Sequence, residues 1–357
     1  LVRIFNSFET ELVLGLPIGF FVYSTKLYDL VRMHEPPLYG QATALAGLTL
    51  VLIAFIIPLQ RWILQRRRYT TITGNFKPGL IDLGPWKWLA FGAIVFYHLV
   101  TTFLPLAVML VGSFMTRVGY FNLNQVFTLD HWRFVLDDPL FFIGLKTTII
   151  IASTTAIISP VLFSIIAYII VRTRWRFRLG IDGVIWVSAA IPGMLSSLGL
   201  LLIFLWTPGL SFLYGTIWAL LIVVILQGNT TGVNISKGSI LQVGFDMEEA
   251  ARVAGMGWFG TFFKIWVPLL MPTLALLALL NFNIAAGTTA SIILLASRET
   301  ITVSILILEW LLPGGGLREA AAVAQIILGL ITLLTAFVLR RYSLARSVRH
   351  AYKDKAR

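Results

Sequence analysis

Eight apolar runs divide this chain, at residues 12–31, 38–60, 88–112, 142–171, 183–205, 212–231, 266–296 and 317–339, and they leave few folds open. About 20 residues of α-helix cross a hydrocarbon core of roughly 30 Å. Each run is of that order, and each is continuous and rich in Leu, Ile and Ala rather than alternating. The strands of a membrane barrel would alternate with period two. Charged residues are 12% of the chain, where a soluble domain carries about a quarter. The fold class expected is therefore an all-α polytopic membrane protein of about eight transmembrane helices. The first run is the most polar, with Lys26 and Asp29 near its end.

The net charge of +12 invites a nucleic-acid reading, but the placement of the charge argues against one. With residue 1 in the cytoplasm and every run crossing once, 21 Lys and Arg fall on the cytoplasmic side and seven on the other, while acids split eight and eight. Orientation follows Lys and Arg rather than net charge. Both termini are thus expected in the cytoplasm. The clusters Arg66–Arg68, Arg172/Arg174/Arg176/Arg178 and Arg340/Arg341 abut helix ends, where they anchor topology and meet anionic lipid of the bilayer. No nucleic-acid partner is expected. Cysteine is absent, which excludes disulfides and thiolate chemistry.

The most ordered polar stretch lies between the sixth and seventh runs. Asp246 is placed to cap a short helix over 246–254, with Glu248 and Glu249 in its first turn, where the helix dipole favours them. Glu248 and Arg252 are four apart and share a face. Ala250, Ala251 and Ala254 keep another face thin. Gly255 is suited to a left-handed helix end, a second short helix follows over about 258–264, and Pro268 suits the first turn of the next span. Glu249, Ala250, Ala251, Gly255, Ile265 and Pro268 fall at fixed spacing.

That spacing resembles the E-A-A–x3–G–x9–I–x–L–P signature of binding-protein-dependent ABC importer permeases, with Val267 where the family has Leu. The resemblance implies that Glu248, Glu249, Ala250, Ala251, Arg252, Gly255, Ile265 and Pro268 form the loop on which a separate ATPase docks. Further stretches are similar to the family: Leu145-Lys146-Thr147-Thr148, with Lys146 replacing Asn; Ala167-Tyr168 followed by Arg172; and Ile191-Pro192-Gly193.

Residues 61–87 carry six basic residues with Gly74, Pro78, Gly79 and Pro85, the composition of a cytoplasmic linker. After it, 88–345 is expected to form one complete ABC importer transmembrane domain of type I, with its docking loop at 232–265. Residues 346–357 form a basic cytoplasmic tail. Before the linker, residues 1–60 are expected to be the last two helices of another permease half. Shifting 38–62 by 278 positions aligns Ala42, Ala44 and Ala46 with Ala320, Ala322 and Ala324, and Leu50, Leu52 and Ile53 with Leu328, Leu330 and Ile331. The arrangement resembles an N-terminally truncated, fused two-half permease of the ferric-iron type.

No catalytic apparatus is expected. A phosphate-binding loop needs Gly-x4-Gly-Lys-Ser/Thr, and Gly232-Val-Asn-Ile-Ser-Lys237-Gly238-Ser239 has the wrong order. No cofactor is expected in the chain itself. The resemblance puts ATP and Mg on two copies of a partner ATPase, adds an extracytoplasmic solute-binding protein and a second permease half, and places the chain in the bacterial inner membrane. The four histidines are scattered, so no metal site is expected; Asp137 and Asp138, with Asp130 and His131, read as a solvated outer loop. Polar groups inside a span face partners or a cavity. Asn281, Asn283, Thr288, Thr289, Ser196 and Ser197 are therefore candidate pathway residues, with helix packing the competing role. The outer loop with Arg298 and Glu299, and Pro313–Gly316, are candidate surfaces for a binding protein. The reading implied is a permease for iron(III), with polyamine, thiamine or another small solute as the alternative. A gradient-driven transporter would need coupling carboxylates at mid-membrane depth, and Glu309 and Glu319 fall near helix ends.

Overall fold

The computed structural model describes residues 7–65, 83–244 and 246–355, and builds them from helices. The chain opens with α1 (Glu9–Gly15), α2 (Tyr23–Tyr28, prolonged by a π-turn to Met33) and α3 (Tyr39–Gln65). Next, α4 (Trp86–His98) and α5 (Leu104–Phe114) join through a π-turn over Leu99–Phe103 into one 29-residue rod. Pro105 sits at the start of α5, where its missing N–H is tolerated. Then come α6 (Asp130–Asp137), α7 (Pro139–Arg172), α8 (Arg178–Ser188), α9 (Gly193–Trp206) and α10 (Ile217–Leu241). The chain closes with α11 (Asp246–Val253), α12 (Trp258–Thr261), α13 (Val267–Leu269), α14 (Met271–Gly287), α15 (Val303–Leu311) and α16 (Arg318–Lys355). Residues 66–82 of the expected linker, including Arg66–Arg68, and residues 356–357 of the tail lie outside the described residues.

Among the described residues, five helices are long and apolar enough to cross a membrane, and two bent pairs raise the number to seven at most. Eight were expected, and the difference falls on 12–31. That run is not one helix. Pro17 sits inside a single 3-10 turn over Leu16–Ile18, Gly19 takes φ 68°, and the Phe20 N–H turns back to the Gly15 carbonyl at 2.9 Å. A helix cannot continue through a left-handed glycine, so α1 and α2 are short pieces rather than a span. The count that places residues 1–11 in the cytoplasm therefore loses its basis for Glu9 and Glu11. The bias carried by the other basic clusters is unaffected.

The run 183–205 breaks by 111° between α8 and α9. Pro192 has no N–H to donate and holds an extended ψ of 146° before α9 begins. The run 266–296 is shorter than expected: it bends by 76° at Leu270, and its helix ends at Gly287. Residues 288–302 are irregular yet mostly buried, and they lead into α15.

Helix α7 is the axis of the molecule, with α10 and α14 packed along it. Small residues allow the close approach. A Cβ on Gly232 of α10 would lie 2.0 Å from the Phe163 ring, and one on Gly144 would meet the Thr302–Val303 backbone at 3.3 Å. One apolar cluster gathers α9, α10, α14–α16 and the N-terminal pieces, and a second surrounds Tyr168 and Trp266 at the other end of α7. The outer faces are apolar too: almost every large side chain of α4 and α5 is exposed, as expected of helices solvated by lipid or by another membrane helix.

Candidate functional site

The loop 246–269 is a helical hairpin seated on the end of α7. α11 is two turns long, and successive residues project about 100° apart. Glu248 and Ala251 accordingly face inward, while Glu249, Ala250, Val253 and Ala254 face out. The Met256 N–H bonds the Ala251 carbonyl at 3.0 Å and the Gly255 N–H bonds that of Arg252 at 2.9 Å. These are the paired bonds of a Schellman helix end, which needs a left-handed residue between them. Gly255 supplies it at φ 72°, with nothing within 4 Å of where a Cβ would sit. Backbone conformation, not space, demands the glycine.

Glu248 holds the seat. Its Oε1 accepts the Tyr168 hydroxyl at 2.7 Å and Arg252 Nη2 at 2.8 Å, and the residue is 5% exposed. The i, i+4 pairing expected of Glu248 and Arg252 is present. The Tyr168 ring lies edge-on to Trp258, Phe262 and Trp266, with centroids 5.7–5.9 Å apart. One turn further along α7, Arg172 Nη2 donates to the Ile240 carbonyl at 2.9 Å and to that of Val243, and its guanidinium lies over the Trp266 ring at 5.1 Å. Cations are favoured at a helix C-terminus, so the last turn of α7 grips the end of α10 and the start of the hairpin together. Tyr168 and Arg172 are the site residues that loop spacing alone misses. Ala167-Tyr168 before Arg172 is the only signal in the sequence that points to them.

The second short helix is α12 with a π-turn over Phe262–Trp266 that contains half-buried Ile265. Pro268 lies in α13, exposed. It does not begin the next span, because Leu270 breaks the helix and Pro272 stands in the first turn of α14 instead.

The six candidate pathway residues do not form one lining. Asn281 is buried against α10, its Oδ1 2.3 Å from where a Gly228 Cβ would be, and its Nδ2 bonds the Leu277 carbonyl. Asn283 is exposed. The Thr288 hydroxyl donates to Gln227 Oε1 at 3.1 Å. Ser196 bonds the Pro192 carbonyl, and Ser197 is fully buried with a hydroxyl that has no partner among the described residues. Thr289 reaches a cavity of about 420 Å³ that also meets Glu9, Gly287 and Ser304. No group of acids and histidines that could hold a metal is present among the described residues.

Residues 160–350 match the family described as the binding-protein-dependent transport system inner membrane component. The chain belongs to this family. It is 23% identical over 308 residues to the ferric transport system permease protein FbpB of Actinobacillus pleuropneumoniae, covering 85% of this chain and 44% of that protein. A molybdate/tungstate transport system permease protein, WtpB of Pyrococcus abyssi, is 25% identical over 241 residues, 66% of this chain and 94% of its own. The chain thus spans less than half the length of its ferric relative. Among solved structures, a chain of a bacterial ABC transporter that imports alginate superposes with a TM-score of 0.58 at 17% identity, over 72% of this chain and 96% of that one. At that identity the likeness concerns the fold alone. Membership makes this helical chain an inner-membrane component.

Proposed function

We propose that the chain is a permease subunit of an ATP-driven importer and that the 246–269 hairpin is where a partner ATPase docks. One observation carries this reading: the hairpin is pinned from beneath by Tyr168 and Glu248, and its outward face exposes Glu249, Val253 and Phe259, with no hydrogen bond or ion pair to Glu249 among the described residues. A pinned element with an unpaired carboxylate and exposed apolar groups suits a second protein. Two ATPases bind ATP and Mg, close, and push the hairpin, so that the pathway alternates between two openings. An extracytoplasmic binding protein delivers solute on the opposite face. Both the linker and the C-terminal tail are cytoplasmic in this arrangement.

The segment 9–65 is proposed as the counterpart of 287–343 in a second permease repeat. Adding 278 carries Tyr23–Met33 onto 301–311, which holds α15, and carries Tyr39 to 317, next to the start of α16. Ala42 and Ala46 are buried, as are Ala320 and Ala324.

For the solute we propose iron(III), supported by the FbpB likeness. Molybdate or tungstate is the second reading, because WtpB matches along nearly its whole length. Uptake of labelled iron and of labelled molybdate by cells carrying the complete transporter separates the two. Glu249→Ala and Val253→Asp are expected to abolish co-purification of the ATPase and to stop uptake while the protein still inserts. Unchanged co-purification with both would remove the docking role.

A further inference from the structure

Two arginines and one carboxylate line a cavity at the membrane boundary opposite the Gly255 hairpin. The cavity measures about 420 Å³ and lies between the last turns of α5 and the first turns of α16. Arg117, Tyr120 and Arg318 form its polar wall, with Glu319 behind them. Glu319 is buried, and its Oε1 accepts the Val118 N–H at 2.9 Å, which ties its carboxylate to the Met115–Tyr120 segment and leaves the lining with two positive charges against one negative. Neither guanidinium has an ion-pair or hydrogen-bond partner among the described residues. Both arginines are exposed, and a phosphate accepts two N–H bonds from a guanidinium in a planar fork.

The inner wall has a different character. Val108 and Met109 line it, and α4 and α5 above and below are exposed almost throughout. The groove between α5 and α16 therefore opens onto an apolar outer face. A free oxyanion would use only the arginine rim. A phosphate that carries an apolar tail would satisfy the rim and the groove at once.

We infer that this cavity binds the headgroup phosphate of an anionic phospholipid, with an acyl chain lying along the α5–α16 groove. The inference needs the chain to lie in a membrane but not the transport reading, so either can fail without the other.

The test is titration of the purified full-length protein in non-ionic detergent with dioctanoyl phosphatidylglycerol, followed by native mass spectrometry. A basic residue at an anionic membrane surface contributes about fivefold in affinity, so Arg117→Gln and Arg318→Gln should each weaken binding about fivefold and together roughly 30-fold. The double lysine variant keeps the charge but loses the planar fork, and it should fall between. It also keeps the test informative if the glutamine pair does not fold. Unchanged affinity in the double variants would overturn the inference. Displacement of the lipid by equimolar inorganic phosphate would overturn it in favour of a soluble-anion site. Retained lipid with lost capture of the solute-binding protein would assign the arginines to protein docking instead.

Discussion

Removing the single oxygen of Tyr168 should loosen the hairpin without disturbing its packing. In Tyr168→Phe the ring keeps its edge-on contacts with Trp258, Phe262 and Trp266. What it loses is the 2.7 Å bond to the buried Glu248 carboxylate. A hydrogen bond to a charged group contributes about 1.5–3 kcal/mol net. Arg252 does not compensate, since its side chain is 68% exposed and a solvated i, i+4 pair contributes only about 0.3–0.5 kcal/mol. The seated form of α11 should therefore lose roughly 1.5–3 kcal/mol, which raises its opening roughly 10- to 150-fold. Hydrogen exchange resolved by mass spectrometry reads this directly: peptides within 246–255 should exchange faster by that factor, while peptides of α10 remain unchanged. A double-mutant cycle with Glu248→Gln sharpens the measurement, because the second substitution should cost less once the first is present. Unaltered exchange in 246–255, or strictly additive effects, would refute the claim that this bond seats the hairpin.

Three further outcomes follow from the packing. Gly255→Ala should cost about 1–2 kcal/mol, the penalty of a left-handed L-residue, and should show as faster proteolysis between α11 and α12; unchanged proteolysis would contradict the φ of 72°. Gly232→Ala pushes a methyl into the Phe163 ring and should lower stability by about 1–3 kcal/mol, read as a lower Tm in detergent that Phe163→Leu partly restores. Arg32→Gln weakens the bonds from the N-terminal segment to the Ile293 and Ala296 carbonyls at 2.7 and 3.0 Å, so exchange across 289–297 should rise, by up to the roughly 1.5–3 kcal/mol of a charged pair.

What was legible in the sequence was local. The Glu248–Arg252 pair and the helix end at Gly255 follow from spacing within one helix, and both are present. The partner of Glu248 was not legible, because Tyr168 is 80 residues away and no periodicity links them. Hydropathy also misread two runs for one reason: it scores apolar content and not backbone continuity. Over 12–31, Gly15, Pro17 and Gly19 interrupt the helix, and those residues were a visible warning. Over 288–296, Ile292–Leu295 are as apolar as any span, yet they are buried in turns against protein rather than crossing lipid. A buried irregular segment and a membrane helix have the same composition, and only the tertiary neighbours separate them.

The two adjacent glutamates show how the hairpin divides its work. Helix geometry points successive residues about 100° apart, so Glu248 turns into the Tyr168 cage while Glu249 turns to solvent. A hairpin held only by its chain ends would swing at Leu270, where the helix breaks by 76°, and a push on its outer face would be absorbed there. The Tyr168 bond supplies a second route that bypasses the joint. It meets α7 one turn from Arg172, which holds the end of α10, so displacement of α11 carries α7 and α10 together. Because α7 is the helix against which α10 and α14 both pack, a load applied at Glu249 reaches the centre of the bundle through the Tyr168–Glu248 bond and through the Trp258, Phe262 and Trp266 rings packed on Tyr168. On the proposed reading, then, Tyr168→Phe should leave the ATPase bound but uncoupled, whereas Glu249→Ala should leave it unbound, and the two variants must differ in co-purification while agreeing in lost uptake.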